Sequence, residues 1–87
     1  MLHELDIHPK YFKAIIEERK THEIRKNDRN FKVGDFLYLR EWNPKTQRYT
    51  GKYRWVLVKY VDKLNMTDYS IFESDYVAMS ISILKLK

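Results

Sequence analysis

Helical spacing occurs once in this chain, and the other patterned stretches read as strands. From Pro9 to about Arg19, the apolar residues Tyr11, Phe12, Ile15 and Ile16 fall on one face of a helix. Pro9 suits the first helical position, where its missing N–H is no loss. Arg19 and Lys20 fall in the last turn, where cations suit the negative end of the helix dipole. One helix cannot bury such a face alone, so the rest of the chain must supply a sheet for it to close on.

The strand-like stretches supply that sheet. In Leu2–Ile7, His3, Leu5 and Ile7 share one strand face, which makes His3 a hydrogen-bonded core residue or a ligand contact. Thr21–Lys26 reads as a second strand. Its one clearly apolar member, Ile24, marks the core side, and Thr21, Glu23 and Arg25 take the outer face with Glu23 and Arg25 close enough for a salt bridge. Asn27–Asn30 is turn chemistry. After Gly34–Asp35, the run Phe36–Trp42 is apolar on both faces and predicts a central strand. Residues 43–51 read as a polar hairpin connection. Lys52–Asp62 is the longest strand candidate, long enough to bend or to serve two pairings. Residues 63–74 lack periodicity and read as a loop, and Tyr76–Leu86 alternates with Val77, Met79, Ile81 and Ile83 on one face. The order β-α-β-β-β-β predicts an α+β fold, a curved or barrel-closed sheet with one helix at an end.

At 87 residues the chain predicts one domain, residues 1–87, with a compact core. Thirteen aromatic residues, seven of them Tyr, supply bulk for that core and hydroxyls for hydrogen bonds. There is no cysteine, so disulfides and thiolate sites are excluded. Glu4, Asp6 and two His within the first ten residues do not make a signal peptide. No apolar run approaches the ~20 residues of a membrane helix. These features predict a cytoplasmic protein with no membrane partner. A net charge of +5 favours polyanion partners.

Charge concentrates in Glu18–Arg29, where three acidic and five basic residues interleave. Lys20 offers a point charge, and Arg25 and Arg29 offer bidentate forks for an anion. Glu23 can accept from exocyclic amines of a base. Tyr and Trp of the strands at 36–42 and 52–62 can stack on an unpaired base. Other chemistries lack their residues. No P-loop or dinucleotide-binding glycine pattern occurs. His3, His8 and His22 have no metal-ligand spacing, and no Ser lies in a nucleophile elbow. No cofactor or metal is expected.

Lys20-Thr21-His22-Glu23-Ile24-Arg25, followed by Lys26-Asn27-Asp28-Arg29 and Phe31-Lys32-Val33-Gly34-Asp35, resembles the ASCH domain. The signature of that superfamily runs roughly G-x-K-[ST]-x-E-x-R and then a V-G-D turn. His3-Glu4-Leu5, Tyr11-Phe12, Leu37-Tyr38-Leu39-Arg40-Glu41 and Tyr49-Thr50-Gly51 are similar to a small bacterial and phage group within it, single-domain proteins of unknown function. The resemblance implies a PUA-like mixed β-barrel of about five strands, with one main helix near the N-terminus and a cleft between them for RNA or a nucleobase. Lys20, Thr21, Glu23 and Arg25 fall on the signature positions. The usual glycine two residues before the lysine is Glu18 here.

The expectation is therefore an RNA- or nucleotide-binding domain. Lys20 and Arg29 neutralise phosphate, Arg25 orders Glu23 or binds phosphate, Glu23 reads a base edge, and His3 is a flanking contact. A hydrolytic branch of the superfamily acts on acylated cytidine through a K-T-x-T-x-R pattern whose second Thr is the nucleophile. Glu23 stands at that position, so the reading leans away from an enzyme. Lys20, Thr21 and Glu23 remain the candidates for catalysis on a modified nucleoside or on RNA. A protein–protein adaptor is the third class, and it predicts an apolar patch as the conspicuous surface.

Overall fold

The computed structural model describes residues 1–64 and 76–85. Its elements are β1 (Leu2–Ile7), α1 (Pro9–Ile16), β2 (His22–Lys26), β3 (Phe36–Asn43), β4 (Arg48–Lys63) and β5 (Tyr76–Ile83). The strands form one curled sheet, a half-barrel in the order β1-β3-β4-β5-β2, with one short helix. The fold is α+β, in the predicted order of elements. Among the described residues, no helix is long and apolar enough to cross a membrane.

β3, β4 and β5 are the interior strands, each paired with a neighbour on both sides. β3 lies between β1, which it meets in parallel from Leu2 opposite Phe36, and β4, which it meets antiparallel. Its inward residues Leu37 and Leu39 are fully buried. β4 runs for 16 residues and does serve two pairings, with β3 along its first part and with β5 along its second. An irregularity between Val58 and Tyr60 lets so long a strand follow the curl. The hairpin before it is tighter than residues 43–51, since pairing resumes at Arg48 opposite Asn43. Gln47, with φ of 53°, turns the chain there.

Alternation decided the core correctly in β1 and β5. Leu5 and Ile7, and Val77, Met79 and Ile81, all point inward with Val56 and Val58, and Phe12 and Ile15 of α1 close over them. β5 ends at Ile83. Lys63 belongs to β4 and Leu64 follows it. The rest of the expected loop at 63–74 lies outside the described residues.

Three local expectations are corrected. The helix stops at Ile16 and not near Arg19, closed by bonds from Glu18 N–H to the Ile15 oxygen and from Arg19 N–H to the Ala14 oxygen. This is a Schellman-type ending, and it puts Glu18 in the left-handed region at φ 58°. Glycine is favoured at such a position, so the Glu18 departure has a backbone meaning. Tyr11 is 48% exposed and does not share the buried face of Phe12 and Ile15.

The third correction concerns β2. Glu23 faces inward, opposite Met79, and is 6% exposed, whereas Ile24 is 49% exposed opposite Ala78. Thr21 lies just before the strand, so the expected outward set of Thr21, Glu23 and Arg25 is not the outer face. Glu23 can be buried because two cations meet it.

Asp35 shows how the V-G-D turn anchors the far end of the sheet. Gly34, at φ 92°, donates its N–H to the Val58 oxygen, and the Val58 N–H returns to the Asp35 oxygen. The buried Asp35 carboxylate accepts from His3 Nε2 at 2.9 Å, from the α-amino group at 3.1 Å and from the Lys32 N–H at 3.0 Å. Burial alone pushes its pKa up. The bonds from His3, the α-amino group and Lys32, with the charge on the amino group, outweigh burial and hold it below the usual value. His3 also meets the edge of Phe31 at 4.7 Å, so its ring is a hydrogen-bonded core residue.

Candidate functional site: a cleft between the two edge strands

Curling brings β1 and β2, the two outer strands of the sheet, toward each other without a backbone ladder between them. Side chains span the gap. Arg25 donates from Nη2 to the Asp6 main-chain oxygen at 2.8 Å, and Arg29 donates from Nη1 to the Glu4 main-chain oxygen. These carbonyls belong to alternate residues of β1 and point away from β3. Guanidinium groups thus take the place of a missing strand.

At one end of this seam the chain brings Lys20, Glu23 and Arg25 together. Lys20 Nζ donates to Glu23 Oε1 at 2.8 Å and to the His22 main-chain oxygen, and Arg25 Nε donates to Glu23 Oε2 at 2.6 Å. The Glu23 side chain is 8% exposed, the lysine 20% and the arginine 29%. An unpaired carboxylate at that depth would be strongly destabilising, and two charge-assisted bonds offset this. One negative group between two positive ones leaves a local charge of +1. Lys20 uses two of its three N–H donors in these bonds and Arg25 two of its five. Glu23 keeps a second lone pair on each oxygen. The triad can therefore still receive acceptors and donors from a ligand.

The triad opens on a cleft of about 500 Å³ lined also by Asp6, Ile7, His8, Tyr11, His22 and Ile24. That volume is within the ~300–1,000 Å³ usual for small-molecule sites. Tyr11 is the aromatic wall that helical periodicity assigned to the core. Lys20 Nζ lies 6.0 Å from its ring centroid. The signal that could have separated it from Phe12 is its place in the first turn of the helix, next to His8.

Beyond Arg25 the seam continues into a second depression of about 640 Å³. Arg25, Arg29, Arg40 and Tyr49 line it together with the near part of β1, His3 included. Arg40 lies over the Tyr49 ring at 3.7 Å, and Tyr49 donates from its hydroxyl to Asp6 at 2.9 Å. That bond, followed by partial burial and the Asp6 charge, raises the Tyr49 pKa above its usual value. Thr21 is on the other side of Lys20. It lines a depression of about 510 Å³ with Lys59, Tyr60, Ser80 and Ser82. Lys20, Glu23 and Arg25 thus meet in one cleft, Arg29 and His3 lie along its extension, and Thr21 is separate. The strand aromatics expected to line the same cleft do not. Tyr53 and Trp55 pack on Tyr38 elsewhere on the sheet, with centroids 5.3 and 4.8 Å from its ring.

Comparison with known proteins covers most of the chain. Residues 2–81 match a family described as "Domain of unknown function (DUF3850)". An uncharacterized 12.9 kDa protein in the GpA 3′ region of Escherichia phage P2 is 40% identical over 78 residues, which are 90% of this chain and 65% of that protein. The chain thus spans slightly under two thirds of this relative. The crystal structure of hypothetical protein PH0355 has a TM-score of 0.66 over 97% of this chain and 100% of that one. At 17% identity, the likeness is one of fold.

Proposed function

This chain belongs to the DUF3850 family, and from its own cleft we propose that it binds RNA or a nucleotide-like ligand between β1, β2 and the start of α1. A half-barrel sheet with a helix at its mouth supports a PUA-like fold of the ASCH type, and the Lys20–Arg25 string supports the same assignment. The observation that carries the functional reading is the buried Glu23 carboxylate held between Lys20 and Arg25 at the cleft mouth.

Each group then has a role set by its chemistry. Lys20 and Arg25 present spare N–H donors to phosphate oxygens. Glu23, kept in place by them, accepts from an exocyclic amine at a base edge. Tyr11 offers a ring for stacking at the cleft wall. Arg29 and Arg40 extend the positive track along the seam for a following phosphate.

The experiment is a binding titration of single-stranded RNA at low and moderate salt. Lys20→Ala and Arg25→Ala should each weaken binding and flatten its salt dependence, since each removes a phosphate contact. Wild type that binds no RNA or nucleotide at low salt would end the proposal. Turnover of labelled RNA or of an acylated cytidine, lost in Glu23→Gln, would replace it with hydrolysis.

A further inference from the structure

β4 outruns its neighbour. Its pairing with β5 begins at Val56 opposite Ile83, and the Leu84 N–H closes on the Trp55 oxygen. Tyr53 and Arg54 are paired with β3 on one side. Their other side faces a groove of about 1130 Å³, lined by Gly51–Trp55, Ile83–Lys85 and Ile16. This groove shares no lining residue with the Lys20–Glu23–Arg25 cleft.

Its chemistry is distinctive. Tyr53 and Trp55 are 48% and 38% exposed, and both pack on Tyr38, with centroids 5.3 and 4.8 Å away. Tyr38 fixes the two rings without covering them. Lys52, Arg54 and Lys85 also line the groove, and among the described residues no Asp or Glu does. Lys85 meets Glu18 at 3.2 Å, with side chains 68% and 56% exposed. Such an exposed pair exchanges readily with another anion. Alternate residues of a strand project to opposite faces, so this edge offers rings on one side and cations on the other.

We infer that this edge of β4 is a second contact surface for a single-stranded nucleic acid, with bases stacked on Tyr53 and Trp55 and phosphates beside Lys52 and Arg54. The inference extends the cleft reading above to a longer ligand. Stacking accepts any base, and the exposed cations make the contact salt-dependent. Two rings two residues apart are roughly 7 Å apart along the strand, a spacing that an extended single strand can match with successive bases.

The test compares a 12-nucleotide oligouridylate with uridine monophosphate on wild type, Trp55→Ala, Trp55→Phe, Lys52→Glu/Arg54→Glu and Lys20→Ala/Arg25→Ala. Trp55→Ala should weaken the 12-mer at least roughly fivefold, the lower end of the loss for one stacked base. It should leave the mononucleotide unchanged, and Trp55→Phe should recover most of the loss. The double charge reversal, at two exposed positions, should weaken the 12-mer and lower its salt slope with the thermal midpoint preserved. Full 12-mer affinity in Trp55→Ala and in the charge reversal, with loss only in Lys20→Ala/Arg25→Ala, overturns the second surface and leaves the cleft standing. Loss at Trp55 with full affinity in Lys20→Ala/Arg25→Ala supports the surface and removes the cleft. Wild type without 12-mer binding removes both. Self-association that depends on Trp55, with unchanged 12-mer affinity, assigns the rings to a second copy of the chain and overturns the inference.

Discussion

Arg25 spans the open seam of the sheet to reach the main-chain oxygen of Asp6 at 2.8 Å, while its Nε holds Glu23 at 2.6 Å. One guanidinium thus links the two outer strands and positions the buried carboxylate of the cleft. Structure and proposed recognition meet in that side chain, and they can be separated by measurement.

Arg25→Ala removes both bonds and leaves Glu23 with Lys20 as its ion partner. A buried carboxylate that loses one partner should destabilise the fold by about 1–3 kcal/mol. Urea unfolding reads the difference. Arg25→Lys should recover only part, because an ammonium cannot reproduce the fixed fork of Nε and Nη2. An Arg25→Ala protein as stable as wild type would show that the seam contact contributes nothing.

Glu18 occupies a left-handed position at φ 58° that favours glycine. Glu18→Gly should therefore stabilise the protein by roughly 0.5–1 kcal/mol, the ~1–2 kcal/mol strain of a side chain in that conformation less the ~0.4–1 kcal/mol that a glycine adds through unfolded-chain entropy. The exposed pair with Lys85 that is lost is worth little. A thermal midpoint that falls in Glu18→Gly would contradict this.

Asp35 gives a pH signature. Its carboxyl titrates lower in the folded protein than in the unfolded chain, where the value is about 3.9. The stability it contributes is fully present above that value and is lost as pH falls through the lower, folded value. The stability gap between wild type and Asp35→Asn should thus shrink as pH falls below about 4. A gap independent of pH down to about 2 would assign no such role to Asp35.

Glu23→Gln separates the charge of the cleft from the base reading proposed for it. Removing the negative group raises the local charge from +1 to +2, so affinity for single-stranded polyanions should hold or rise. Discrimination among homopolymers should fall, because the amide offers a donor where the carboxylate offered only acceptors. Filter binding of the four homopolymers measures both. An equal loss of affinity for all four would remove Glu23 from base reading.

The strands were legible where a whole stretch alternates. Val77, Met79 and Ile81 share a face in sequence and are buried in the structure. β2 was misread because five residues carry one apolar member, and Ile24 decided the face by itself. The force that places Glu23 inward comes from Lys20 and Arg25 and from the position of β2 at the seam. The grouping of Lys20, Glu23 and Arg25 was legible from their spacing, whereas Thr21, in the same string, lines a different depression. Tyr11 was not legible, because helical spacing sets it beside Phe12 and tertiary packing alone decides which of the two rings is covered. The Arg25–Asp6 contact joins residues far apart in sequence through a main-chain oxygen, and side-chain identity holds no record of it.

The cleft lies between the first and last strands of the order β1-β3-β4-β5-β2, so neither half of the sheet contains it. β2 is attached through β5, β5 through β4, and β1 through β3. A chain that has built only its central hairpin has neither wall in place. Such pairings between distant segments are slow to form, because loop closure precedes the contacts that reward it. Competence to bind should therefore arrive late in folding, and a ligand bound at the cleft as proposed would act as a clasp on the finished curl.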